Sequence, residues 1–401
     1  MQRELISVSK IVGRRCLELS AMGSEIRKMF LIGQEQMRKN PSLDLIDLSL
    51  GNPDLEPPPE VNQAIQQLLL SEEPGTHRYM DNAGFPHVRK FLAEQFSLSE
   101  GTPIVPDSVF LTCGAAGGLQ IVLRTLIDEG DEVIIFAPYF SEYIPYTSNV
   151  GAIPIVVKSD ENHIPILAHL KESLTEKTKM VIVNSPNNPS GVVYPKLFFT
   201  ALVDLLEEHR KKTGKVVHIV SDEPYSRLMF PQSESVSLLA LYDAAWVIRS
   251  HSKDLGLAGE RIGYVAWGSA LAQPEVLAAM RNSARALGFV NAPALMQRLL
   301  PLVYHSKVDV SIYQKRVQMF REAMLEAGLE CAMPGAGFFI FPKSPIADDR
   351  EFCHRLIEAG VLTVPGSGFG SPGYFRASLT QSFDNVKRAA ARIASVVKEF
   401  K

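Results

Sequence analysis

Ala245-Trp246-Val247-Ile248-Arg249-Ser250-His251-Ser252-Lys253, followed by Arg261-Ile262-Gly263-Tyr264, is the stretch on which the fold turns. Its first four residues are apolar without alternation, as in a strand buried on both faces. The lysine therefore emerges at the end of a buried strand. An amine there can attack or bond a carbonyl, while Ser250, Ser252 and Arg261 can hold a phosphate. Taken alone, the same residues also fit an ordinary solvated lysine beside serines.

Working outward, similar runs recur: Val133-Ile134-Ile135-Phe136, Ala152–Val157, Met180–Val183, Val216–Val220 and Ile262–Trp267. Between them, apolar residues fall at helical spacing, as at Val61, Ala64, Ile65, Leu68 and Leu69 behind Pro57-Pro58-Pro59, and at Leu119, Val122, Leu123 and Leu126. Strands alternating with helices predict an α/β fold around a mostly parallel sheet. From Asn291 to Leu329 the pattern stays helical for longer. Phe338–Phe341, a helix near Arg350–Ala359 and a final helix over Asp384–Phe400 read as a smaller α+β unit. The expected division is 1–48, an N-terminal segment of the small unit; 49–300, the large domain; and 301–401, the small C-terminal domain.

The chain has 401 residues and a net charge of −3, and nothing in it suggests a nucleic-acid surface or a basic membrane-binding face. The first residues carry no apolar signal region, and no stretch is suited to spanning a bilayer, so a cytoplasmic protein is expected. Cys16, Cys113, Cys331 and Cys353 form no C-x-x-C pair, and the nine histidines show no metal-ligand spacing. No metal is expected.

Open parallel sheets bind ligands at the carboxyl ends of their strands, and several polar segments fall there. Gly114-Ala115-Ala116 can bring helix N-terminal N–H groups up to an anion, or can simply soften a turn. Asp222, after the Val216–Val220 run, is either a helix cap or a buried carboxylate facing a cation such as a pyridinium. Asn187-Asn188-Pro189-Ser190-Gly191 reads as a turn, whose Asn amide can also reach a phenolic oxygen. Phe140 can stack on an aromatic ring or belong to the core.

Together, in this order and spacing, the chain resembles the class I/II aminotransferases, pyridoxal-5′-phosphate enzymes of fold type I. The resemblance runs from Leu50-Gly51-Asn52-Pro53-Asp54 to Phe375-Arg376-Ala377-Ser378. It includes Tyr79…Gly84, Gly130-Asp131-Glu132-Val133, Asp222-Glu223-Pro224-Tyr225, the Ser250–Lys253 block and Pro365-Gly366. It implies a large domain with a seven-stranded sheet and a small domain built from both termini. It also implies that Lys253 holds the cofactor as an internal aldimine, that Asp222 pairs with the ring nitrogen, and that Asn188 and Tyr225 bond its phenolic oxygen. Phe140 would stack on the ring, and Gly114, Ala115, Ala116, Ser250, Ser252 and Arg261 would hold the phosphate. Arg376 would clamp the substrate α-carboxylate, with Gly51 and Asn188 beside it. Tyr79 would reach the phosphate of a neighbouring subunit, implying a homodimer. Arg281, Arg285 and Ser24-Glu25-Ile26 lie where relatives shape specificity. The implied reaction exchanges an amino group between an amino acid and a 2-oxo acid. A lyase of the same fold would use the same residues. A cofactor-binding regulator would need a DNA-binding domain, for which the segment before Leu50 is short and insufficiently basic.

Overall fold

The computed structural model describes residues 11–22, 25–40, 42, 44–71 and 74–400. Its centre is a seven-stranded sheet. The strands are β2 (Val109–Thr112), β3 (Glu132–Phe136), β4 (Ile153–Val157), β5 (Thr178–Val183), β6 (His218–Asp222), β7 (Ala245–Ser250) and β8 (Gly263–Trp267), after a short β1 (Ile46–Asp47). Their order is β2-β8-β7-β6-β5-β3-β4, and only β8 runs antiparallel to its neighbours.

Both faces of the sheet are covered except at the edge strand β4, where Ile153 and Val156 are exposed, which is why its inner strands are apolar without alternation. Side chains still alternate in direction. Ile134 and Val247 join a core with Leu92, Phe96, Leu202 and Leu299 on one face. Val133, Ile135, Trp246 and Ile248 join Leu119, Val122, Leu123 and Met280 on the other. Fully burying each such side chain contributes about 1.5–3 kcal/mol.

The strand-like runs all form strands, within two residues of their expected limits. The additional strand of this sheet is β2, whose apolar run of three residues, Val109–Leu111, ends at Thr112 and is too short to stand out. The helix expected at Leu119–Leu126 begins earlier, at Gly114. Its small residues let the first turns lie against the sheet: a Cβ on Gly118 would come 3.0 Å from Ile248 and 3.1 Å from Val265. The long helical region is two helices, Ala294–Val303 and Val310–Glu326. The second is capped by Asp309, whose side chain accepts a hydrogen bond from Ser311 N.

A separate core joins Met29, Ile46 and Leu48 to Phe320, Phe352, Leu356, Phe375 and Ile393. β1 pairs in parallel with β10 (Val361–Leu362). Beside it, β11 (Val364–Pro365), β12 (Phe375–Ser378) and β9 (Phe339–Ile340) form a three-stranded sheet. Residues near the start of the chain thus pack with its last hundred or so. Among the described residues no helix is long and apolar enough to cross a membrane.

Candidate active site

A cleft of about 570 Å³ opens where the parallel strands end. The chain leaves β2 into Ala115 and Ala116, β3 toward Phe140, β5 into Asn184 and Asn188, and β6 at Asp222. It leaves β7 through Ser250, Ser252 and Lys253, and returns past Arg261 into β8. All of these line the cleft, and Gly51, Tyr225 and Arg376 complete it. Side chains spread over more than 300 residues of sequence are thus convergent.

Lys253 Nζ donates to the Gly51 carbonyl at 2.7 Å. Burial, helped by Arg261 and Arg376, pulls its pKa down to about 8, so a neutral, nucleophilic amine is accessible near neutral pH. Asp222 is buried, and burial pushes its carboxyl up to about 6 against an opposing hydrogen bond from Tyr143. Tyr143 Oη donates to Asp222 Oδ2 at 2.6 Å. The other oxygen, Oδ1, is buried with no partner. A carboxylate half-satisfied in this way is a receptor for a cationic N–H.

Arg376 is 1% exposed, and burial lowers its pKa to about 10. Its Nη1 donates to Asn188 Oδ1 at 3.0 Å and its Nη2 to the Ser49 carbonyl. Its Nε is unpartnered, and its guanidinium lies between the rings of Phe339 and Phe369. No carboxylate pairs with it among the described residues. A buried guanidinium without a counter-charge is a site for an anion. A chain of bonds ties these groups together: Asn184 Nδ2 donates to the Asp222 carbonyl at 2.8 Å, and Asn184 Oδ1 accepts from Asn188 N at 2.7 Å.

At the other end, Arg261 Nη1 donates to the Ala258 carbonyl at 3.1 Å and lies 3.5 Å from Ser252 Oγ. Gly114 has φ +70°, and a Cβ there would sit 2.6 Å from Arg261 Nη2. The glycine keeps this guanidinium beside the helix N-terminus, a composite anion cradle. Gly51 is also held to a glycine by its packing. A Cβ there would meet the ring of Phe339 at 2.6 Å, so the residue fixes backbone packing beneath Lys253.

Tyr79 stands apart from the site: it is 90% exposed and does not line the cleft. Arg281 pairs with Asp81 at 2.7 Å and Arg285 bonds Asn282, and neither reaches the cleft. Ile26 lines it, Glu25 pairs with Lys28, and Ser24 lies outside the described residues. Sequence reasoning missed Tyr143, Asn184, Arg27, Phe30, Glu142 and Phe339. Asn184, directly after the Met180–Val183 run, was findable by the rule that located Asp222. Tyr143 and Glu142 needed the turn after Phe140, and Arg27, Phe30 and Phe339 come from distant parts of the chain.

An amine, a cation-seeking carboxylate, an anion cradle and a second buried cation in one cleft define a site for an aminotransferase with a bound pyridoxal phosphate. Residues 44–393 match the family model for aminotransferase class I and II, and the chain belongs to that family. It is 31% identical to the aspartate/prephenate aminotransferase of Thermus thermophilus, over 88% of this chain and 91% of that one. It is 32% identical to the aspartate aminotransferase of Thermotoga maritima, over 87% and 90%. Among solved structures, an aminotransferase from Eubacterium rectale superposes with a TM-score of 0.93 at 32% identity, covering 98% of this chain and 99% of that one. The Thermus thermophilus aspartate aminotransferase with maleate gives 0.85 at 28% identity, covering 96% and 99%. The protein is an aminotransferase of fold type I, and its family uses pyridoxal 5′-phosphate.

Proposed function

We propose that this aminotransferase works through Lys253, Asp222 and Arg376, with an acidic amino acid among its donors. The observation that carries this reading is the pair of unsatisfied buried groups, Asp222 Oδ1 and Arg376 Nε, in the cleft that Lys253 enters. The residues fit the cofactor: a half-bonded carboxylate suits a pyridinium nitrogen, and the Gly114–Ala116 turn with Ser250, Ser252 and Arg261 suits a phosphate. When bound, the cofactor supplies an electron sink that makes the substrate Cα–H acidic.

The chain's own residues do the rest. Asp222, oriented by Tyr143, would keep the ring nitrogen protonated. Asn188 and Tyr225 would bond the phenolic oxygen, and Phe140 would cover the ring. Arg376 fixes the substrate α-carboxylate bidentately, which sets the Cα–H direction relative to Lys253. The Lys253 amine would hold the cofactor at its carbonyl carbon and, when free, would move the proton at the substrate Cα. Phe339 and the apolar residues around it exclude water from that transfer.

The acidic donor is suggested by relatives that bear the name aspartate aminotransferase. The reading includes a cytoplasmic homodimer in which the exposed Tyr79 reaches the partner's phosphate site, and a chain divided as 1–48, 49–300 and 301–401. Four free cysteines accord with a reducing compartment. Lys253→Ala tests the core of it. The variant is expected to lack the borohydride-sensitive visible absorbance of the cofactor-loaded protein and all transamination. Undiminished turnover in Lys253→Ala would refute the mechanism.

A further inference from the structure

The charged side chains lining the cleft are Arg27, Glu142, Asp222, Lys253, Arg261 and Arg376. The reading above, on which this inference rests, employs the last four. Arg27 and Glu142, opposite in sign, are left over. Arg27 lies on the helix Glu25–Lys39, which is seated by one stripe of small and apolar residues. Met29 is buried, and a Cβ on Gly33 would meet Leu362 at 2.6 Å. Glu25 is held by Lys28 at 3.0 Å and Arg350 at 3.5 Å. With that stripe against the small unit, Ile26, Arg27 and Phe30 turn toward the cleft. The Arg27 guanidinium has no hydrogen-bond or ion-pair partner among the described residues.

Glu142 stands two residues beyond Phe140, on the large-domain side. It is half-buried, burial pushes its carboxyl up, and no cation pairs with it among the described residues. Otherwise Ile26, Phe30, Leu50 and Phe339 make the walls here apolar. A second substrate carboxylate placed among them needs a cation, because an unpaired charge in an apolar setting is costly.

We propose that Arg27 is a specificity-determining residue whose guanidinium receives the distal carboxylate of a dicarboxylic amino acid or 2-oxo acid. Glu142, also lining the cleft, repels that carboxylate, so the acid has one favourable placement. Arginine suits the task because its planar fork grips a carboxylate bidentately while Arg376 holds the other one. The same cleft still admits an uncharged side chain, which packs on the apolar wall and leaves Arg27 in water.

The test uses cofactor-loaded wild type, Arg27→Gln, Arg27→Lys and Glu142→Gln, in single-turnover half-reactions with aspartate, glutamate, alanine and phenylalanine. Binding of the unreactive succinate and butyrate is titrated alongside. Arg27→Gln is expected to lower kcat/KM for aspartate and glutamate roughly ten- to hundredfold, the loss of one charge-assisted bidentate contact. Alanine and phenylalanine should change by less than about threefold. Succinate affinity should fall in step, butyrate affinity should not, and Arg27→Lys should recover part of the loss. Glu142→Gln should tighten succinate. An equal loss for all four donors would mean that Arg27 only seats the helix, and no loss would remove it from recognition; either overturns the proposal. A wild-type protein that processes none of the four donors would instead overturn the reading of Lys253 and Arg376.

Discussion

Asp222→Asn separates stability from function with opposite signs. Asp222 has one oxygen bonded by Tyr143 and, among the described residues, no partner for the other. Its carboxyl is raised from 3.8 to about 6 by burial. A raised acid binds its proton more tightly folded than unfolded. The folded state therefore bears no penalty below about pH 4, an increasing one between pH 4 and 6, and the full one above. A shift of roughly two units is worth about 3 kcal/mol. The asparagine of the variant never ionises, so the cofactor-free variant should be the more stable protein at pH 8. With an unfolding entropy of about 2.1 cal/mol/K per residue, 3 kcal/mol in a chain of this length raises Tm by about 3–4 °C. Scanning calorimetry of both cofactor-free proteins from pH 5 to 8 measures the gap, which should narrow as pH falls. Pyridoxal phosphate affinity should move the other way. Losing one partner of a buried ion pair costs about 3–5 kcal/mol, roughly a hundredfold or more in dissociation constant. Coincident Tm values at every pH, or a less stable variant at pH 8, would refute the idea that Asp222 is a buried charge awaiting a cation.

Gly114→Ala forces a Cβ to within 2.6 Å of Arg261 Nη2 at a φ of +70°. We expect cofactor affinity, followed by equilibrium dialysis, to fall about tenfold. Gly130→Ala is the control: its φ is +88° but no atom lies within 4 Å, so it should lose some thermal stability and no cofactor. Arg376→Lys keeps the charge and loses the fork, so half-reactions should show a raised KM together with a kcat lower by roughly tenfold or more. Unchanged kinetics would remove Arg376 from carboxylate binding.

The buried strands were legible because a sheet covered on both faces demands uninterrupted apolar residues, as in Val133–Phe136 and Ala245–Ile248. The site was legible where a polar residue directly follows such a run, as Asp222 and the Ser250–Lys253 block do. β2 was not, because its apolar run, Val109–Leu111, lasts only three residues before Thr112. Tyr143 was not, because a tyrosine three residues past Phe140 looks like core until the Asp222 carboxylate lies beside it. Arg281 and Arg285 show the converse, since a charge near the right place in sequence was already committed to Asp81 or Asn282.

Chemistry that depends on residue type and local order is therefore written along the chain: the amine of Lys253, the carboxylate of Asp222, the glycine at 114 and the apolar runs that build the sheet. Hydrophobic periodicity and turn chemistry are local, and local patterns survive without knowledge of what they face. Which oxygen of Asp222 stays free, that no carboxylate pairs with Arg376 among the described residues, and that Arg27 meets the cleft of Lys253 were settled only by tertiary structure. Those properties are differences between a group's bonding capacity and the partners folding delivers, and the partners come from segments as far apart as residues 27, 143 and 376.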